Sequence, residues 1–145
     1  MDSEAREVGC RRELAAARAV APEPLLGDWS PASGYAAGQQ LARCPEAKAI
    51  FVANDQMALG VLRALAESGR RVPEEVSVVG FDDIPEAGYF LPPLTTVRQD
   101  FDELGRICIA RLMAMIRGEE PGVADPVATS LIVRQSSSAG AAVLP

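Results

Sequence analysis

Residues 49–83 read AIFVANDQMALGVLRALAESGRRVPEEVSVVGFDD, and this stretch decides the fold. It opens on a short apolar run, Ala49 to Ala53, that stops abruptly at Asn54 and Asp55. It closes on a second, β-branched run, Val76 to Phe81, that stops at Asp82 and Asp83. The residues between, Gln56 to Ser68, read as a helix closed by Gly69. Strand, helix and strand in this order predict a βαβ unit, whose two strands run parallel and are buried on both faces. Ligands of such sheets sit just outside the carboxyl ends of the strands. Asn54, Asp55, Asp82 and Asp83 all fall on that edge, a set suited to a small polar molecule.

Outward from this unit the same pattern continues. Residues 4–20 read as a helix ended by Pro22 and Pro24. Leu25-Leu26 reads as a short strand leading to Gly27, Asp28 and Trp29. Ser30-Pro31 predicts a helix start, Ser as N-cap and Pro at the first helical position, running to about Arg43. Strand 49–53, helix 55–68 and strand 76–81 follow, then an irregular proline-rich loop over 84–94. Thr95 to Gln99 is the next strand. Leu104, Ile107, Cys108, Arg111, Leu112 and Met115 recur at helical spacing and predict a helix over 101–117, stopped by Gly118. After a loop over 118–126, Thr129 to Arg134 is a last strand, and 136–145 reads as a frayed, disordered tail. The alternation predicts an α/β protein, a three-layer doubly wound sandwich on a mostly parallel sheet.

Composition narrows the chemistry. The 145 residues suffice for one domain, and 48% apolar content supports a core. The net charge is −6, and of 14 basic residues only Lys48 is a lysine, so the chain is not expected to grip nucleic acid by itself. Histidine is absent, which removes Ser-His-Asp triads, histidine bases and most metal sites. Cys10, Cys44 and Cys108 match neither a zinc pattern nor a disulfide framework and read as reduced cytosolic thiols. The polar, acidic start Met1 to Arg6 is no signal peptide, and no apolar run has membrane-spanning length. The expected location is cytoplasmic, with no cofactor.

Three stretches carry a family resemblance: Asn54-Asp-Gln-Met-Ala-Leu-Gly60, Val72-Pro-Glu-Glu-Val-Ser-Val-Val-Gly-Phe-Asp-Asp83 and Pro92-Pro-Leu-Thr-Thr-Val97. They resemble the hallmarks of the LacI/GalR family of bacterial transcription repressors. Gly27-Asp-Trp-Ser30, Ser33-Gly34 and Gln99-Asp-Phe101 are similar to its lactose repressor branch. The resemblance covers about Ala5 to Ser136. It implies the C-terminal lobe of a periplasmic-binding-protein-like (type I) core, truncated at its N-terminus and lacking the helix-turn-helix head. On this basis residues 1–99 form the lobe and 100–126 are a helix and loop belonging to the missing N-terminal lobe. Residues 127–135 return as the last strand, before the tail at 136–145.

Site residues follow from the edge position together with the resemblance. Asp82 can accept hydrogen bonds from two adjacent hydroxyls, as a sugar offers; the alternative is a loop-capping aspartate. Asp83 reads as a residue that orients backbone. Asn54 offers donor and acceptor, and also reads as a helix N-cap. Asp55 reads as a first-turn residue favoured by the helix dipole. Trp29, the sole tryptophan, can lay its face on the apolar side of a sugar ring or fill a core or interface. The resemblance implies effector contact for Arg6, otherwise a solvated helix charge. Gln99 either touches ligand or satisfies backbone. Tyr89, Phe90 and Leu91, with helices 31–43 and 55–68, match the family's dimerisation surface; the alternative is a lid folded over the sheet's own core.

The expected function is effector binding, with a sugar as the effector, and homodimerisation within a transcriptional regulator. The alternative is a sugar-binding lobe of a transport system. An enzyme is not expected: there is no Gly-rich phosphate loop and no nucleophile elbow.

Overall fold

The computed structural model describes residues 2–20 and 22–137. Its elements run α1 (Asp2–Ala16), α2 (Pro31–Ala42), β1 (Ala49–Phe51), α3 (Asp55–Glu67), β2 (Ser77–Asp82), a 3-10 turn (Pro85–Tyr89), β3 (Thr95–Gln99), α4 (Phe101–Ile116) and β4 (Thr129–Ile132). The four strands form one sheet in the order β1-β2-β3-β4. β1, β2 and β3 are parallel, and β4 closes the edge antiparallel to β3. The mostly parallel α/β sheet read from the sequence is therefore present.

Capping fixes the helix starts. The Ser30 side chain accepts from the Ser33 amide, with Pro31 at the first position of α2. Asn54 accepts from the Met57 amide and opens α3, and Asp100 accepts from the Glu103 amide and opens α4. α2 and α3 cross backbone to backbone. A Cβ on Gly60 would stand 2.0 Å from the Pro31 carbonyl oxygen, and one on Gly34 would stand 2.1 Å from that of Met57. Only glycine permits this approach.

The core lies between α3 and one sheet face, where Val61, Leu62, Leu65, Val76, Val78, Phe90 and Leu94 pack together. Each fully buried aliphatic side chain contributes about 1.5–3 kcal/mol. An exposed i,i+4 pair such as Arg63–Glu67 is worth only about 0.3–0.5 kcal/mol, so the core decides stability. The opposite face is less covered. By strand register it carries Phe51, Val79, Phe81, Val97 and Leu131, and Phe51 and Leu131 are exposed. α1 meets this face at Phe81, where the Arg6 guanidinium lies 4.0 Å from the ring centroid.

Three expectations need correction. Among the described residues Leu25-Leu26 joins no sheet: both residues are exposed, and no described strand offers them backbone hydrogen bonds. The tail does not begin at 136. Ser136 is fully buried; its carbonyl oxygen accepts from the Val78 amide and its hydroxyl donates to the Val78 carbonyl. Residues 138–145 of the expected tail lie outside the described residues. Finally, the loop over 84–94 contains the 3-10 turn, which directs Phe90 into the core at 8% exposure while Tyr89 and Leu91 stay 90% exposed. Phe90 thus serves as the lid over the sheet and is not available to a partner; the tight turn separates it from its two neighbours.

Candidate functional site

The carboxyl edge of the parallel strands gathers most of the expected residues. Asn54 follows β1 and is 5% exposed. Its Oδ1 caps α3, while its Nδ2 donates to the Trp29 carbonyl oxygen and to Gln56 Oε1, each at 3.0 Å. Asn54 therefore realises its capping reading and fastens the Trp29 loop to the edge. Both of its Nδ2 hydrogens and its Oδ1 thus have protein partners.

Arg6 reaches the same edge from α1. Its Nη1 donates to the Ala53 carbonyl oxygen at 2.5 Å, and its guanidinium lies between the rings of Phe81, at 4.0 Å, and Trp29, at 5.5 Å. Stacking of this kind contributes about 0.5–2 kcal/mol. Trp29 is 45% exposed and sits at φ +71°, where a non-glycine residue stores about 1–3 kcal/mol of strain. The neighbouring turn is braced: Asp28 accepts from the Ser30 hydroxyl at 2.5 Å and the Ser30 amide at 3.0 Å. The Ser30 hydroxyl, then the Ser33 contact and the Ser30 amide, hold the Asp28 carboxyl at about 2. The outcome is an aromatic and guanidinium platform with Trp29 exposed and Arg6 and Phe81 half-buried. Phe81 was not singled out from the sequence, where it looked like one more apolar strand residue; the backbone positions that bring it under Arg6 are 75 residues apart.

Asp82 ends β2 with φ +112°, and Asp83 follows at φ +55°. Asp82 Oδ1 accepts from Gln99 Nε2 at 2.8 Å, which joins two of the predicted site residues directly. Asp83 turns inward, with 4% of its side chain exposed. Arg98 Nε donates to its Oδ2 at 2.5 Å. Arg134 Nη2 lies 2.7 Å from its Oδ1, an ion-pair contact that is not aligned as a directed hydrogen bond. Burial works to raise the Asp83 carboxyl, but the close Arg134 contact, the Arg98 hydrogen bond and the charges of both guanidiniums outweigh it, so the net shift is downward. Beyond Asp82 and Gln99 an open depression of about 490 Å³ extends along Arg98, Asp100, Asp102 and Ser130.

Asp55 lies in the first turn of α3, as expected, and has a further role there. It is fully buried; Oδ1 accepts from the Thr96 hydroxyl at 2.6 Å and Oδ2 from the Ile84 amide at 3.0 Å. Desolvation pushes its carboxyl up; the Thr96 and Ile84 hydrogen bonds oppose this, and the charges of Asp82 and Asp83 add to it. Asp55 therefore ties α3 to β3 and to the turn after Asp82.

Chemically, the edge presents one carboxylate with a neutral amide beside it and an aromatic-cation platform nearby. Such a set has the chemistry to accept hydrogen bonds from hydroxyls and to stack on the apolar face of a ring. Among the described residues no group of three or more metal-ligating side chains occurs. No helix among them is long and apolar enough to cross a membrane.

Comparison with known proteins places these features in context. The family described as periplasmic binding protein-like domain matches residues 2–137. The lactose operon repressor of Klebsiella pneumoniae is 49% identical over 114 residues, covering 78% of this chain and 32% of the repressor. A crystal structure of a lac repressor dimer bound to operator and the anti-inducer ONPF superposes with a TM-score of 0.83 at 36% identity, over 95% of this chain and 49% of that one. A LacI family transcriptional regulator from Lactobacillus casei with bound sucrose superposes with a TM-score of 0.79 at 26% identity, over 93% of this chain and 51% of that one. The chain thus spans about a third of the length of the curated relative and half of the solved ones.

Proposed function

This chain belongs to the periplasmic binding protein-like family, as part of the core of a LacI-type repressor, and from that premise we propose that it binds a sugar effector and dimerises within a bacterial transcriptional regulator. The observation that carries the reading is the Asp82–Gln99 hydrogen bond at the strand edge, beside the Arg6, Trp29 and Phe81 stack. A carboxylate facing hydroxyls and an aromatic face for the apolar side of a ring are what a sugar needs. Asp82, Trp29, Arg6 and Gln99 are the proposed contacts, with Asn54 holding Trp29 in place. No catalytic role is assigned to any of them. The lactose operon repressor and the sucrose-bound regulator among the similar proteins support a sugar over other small molecules, and favour regulation over transport.

Residues 100–126 are proposed to belong with the half of the core that lies outside this chain, since α4 buries none of its residues here. Tyr89 and Leu91, both exposed, are proposed as dimer contacts together with α2 and α3. Nothing in the charge or motifs of this chain fits direct DNA contact.

The test is Trp29 fluorescence of the purified chain titrated with mono- and disaccharides, lactose and sucrose included. One open lobe encloses little of a ligand, so the expected affinity is about millimolar. A saturable change that is lost in Asp82→Ala supports the reading. A flat response in this chain, and also in a version extended to the length of its relatives, overturns it.

A further inference from the structure

We infer that Asp83, gripped by Arg98 and Arg134, is the positioning residue that aims the Asp82 carboxylate at the ligand. The inference rests on the reading of Asp82 as a ligand contact and deepens it. Two successive non-glycine residues, Asp82 and Asp83, occupy positive φ. Such backbone persists only where its surroundings over-determine it. Asp82 itself is held by one neutral hydrogen bond from Gln99. Asp83 supplies the remainder. Its carboxylate is buried between two guanidiniums, and Arg134 is in turn anchored by Nη1 donating to the Leu94 carbonyl at 2.8 Å and by its amide donating to Thr95 Oγ1 at 2.8 Å. One residue further on, the Ile84 amide is held by Asp55. The turn is therefore fastened on both sides of Asp83, to β3, to the segment after β4, and to α3.

The charges give the clamp a second consequence. Arg98 is paired with Asp82 in strand register, so it stands beside the ligand carboxylate as well as Asp83. With Asp83 ionised, both guanidiniums have a partner and Asp82 is left for ligand. With Asp83 neutral, a guanidinium loses its partner, and Asp82, opposite Arg98 in register, is a carboxylate that can take its place, as are Asp100 and Asp102 on the same depression. Asp83 thus sets the direction of Asp82 and keeps it free.

The experiment has two readouts on the full chain and its variants. The first needs no ligand: the Asp82 backbone torsion, from NMR three-bond HN–Hα coupling and cross-correlated relaxation. The second is Trp29 fluorescence with lactose and sucrose as probes. In Asp83→Asn the Asp82 torsion is expected to leave the positive region, and affinity to fall at least about tenfold, the size of a charge-assisted hydrogen bond. Asp83→Asn combined with Arg98→Gln is expected to recover part of the lost affinity. An unchanged Asp82 torsion in Asp83→Asn overturns the inference, as does an affinity in Asp83→Asn equal to that of the parent chain. If neither sugar binds the parent chain or its extended version, the sugar reading is what fails, and the torsion alone decides the clamp. If Asp83→Asn does not fold, Arg98→Gln, at a half-exposed position, carries the torsion test with the same two outcomes.

Discussion

Helix α3 buries Met57, Ala58, Val61, Leu62, Ala64 and Leu65, whereas α4, longer and with Leu104, Ile107, Leu112 and Met115 at the same helical spacing, buries no residue. Both start with a side-chain cap and carry an apolar stripe. The difference lies in what each stripe meets. α3 has β1 and β2 on one side and α2 on another, brought within reach by Gly34 and Gly60. α4 leaves Ile109, Met115 and Ile116 more than 60% exposed. An isolated helix of its length is marginal in water, so caps and local contacts alone support it. Helical periodicity announces that a partner exists, and it is silent on whether the partner is in the same chain.

The largest effect should come from breaking the buried side of this comparison. Leu65→Ala, at a residue with no exposure, is expected to cost about 2–5 kcal/mol in urea unfolding. Gly60→Ala should cost about 1–3 kcal/mol or more, because its methyl group meets backbone atoms that cannot yield. The mirror substitution in α4, Gly105→Ala, has nothing within 4 Å and should raise helicity by circular dichroism, worth about 0.5–1 kcal/mol to the helix. Smallest of all, Leu112→Ala should stay within about 0.5 kcal/mol. A cost comparable to that of Leu65→Ala would mean that α4 is buried against something, and the contrast between the helices would fall.

Two buried carboxylates sharpen the contrast between the core and the site edge by responding to pH in opposite senses. Asp83 has a lowered pKa in the fold, so its contribution is present above the ordinary value of 3.8 and is lost as pH falls through the folded value. Asp55 has a raised pKa, so its contribution is full below 3.8 and is lost as pH rises through the folded value. Asp83→Asn should therefore destabilise more near pH 7 than near about pH 3, and Asp55→Asn the reverse, by denaturant midpoints at both pH values. Parallel slopes for the two variants would contradict the assignment of burial and partners.

Much of the frame was legible because local chemistry and global fold agree in it. Apolar strands ending in polar residues and the Ser30-Pro31 and Asn54 caps place β1, α3, β2 and α2 within a residue or two of their observed bounds. Trp29, Asn54, Asp82 and Gln99 were readable as edge residues and Arg6 only through the family resemblance, and the structure joins Asp82 to Gln99, and Arg6 and Asn54 to Trp29. Other features failed where a residue's neighbours, and not its type, set its state. Leu25-Leu26 looked like a strand, but a strand needs a hydrogen-bonded neighbour. Ser136 looked like tail, but its backbone and hydroxyl complete the hydrogen bonding of Val78. Phe90 looked like part of an apolar surface with Tyr89 and Leu91, but the turn separates them.

By itself, then, the sequence determined the elements, their parallel order, and a carboxyl edge carrying Asn54, Asp82 and Gln99, because each of these depends on short-range pattern: β-branched runs, caps, and glycine or proline breaks. Only the tertiary structure decided that Phe81 lies under Arg6, that Asp83 is clamped by Arg98 and Arg134, that Asp55 is buried, and that α4 stands without cover. Those outcomes depend on contacts between residues far apart in the chain, and burial and charge pairing are properties of the assembled surroundings, which no single stretch of sequence contains.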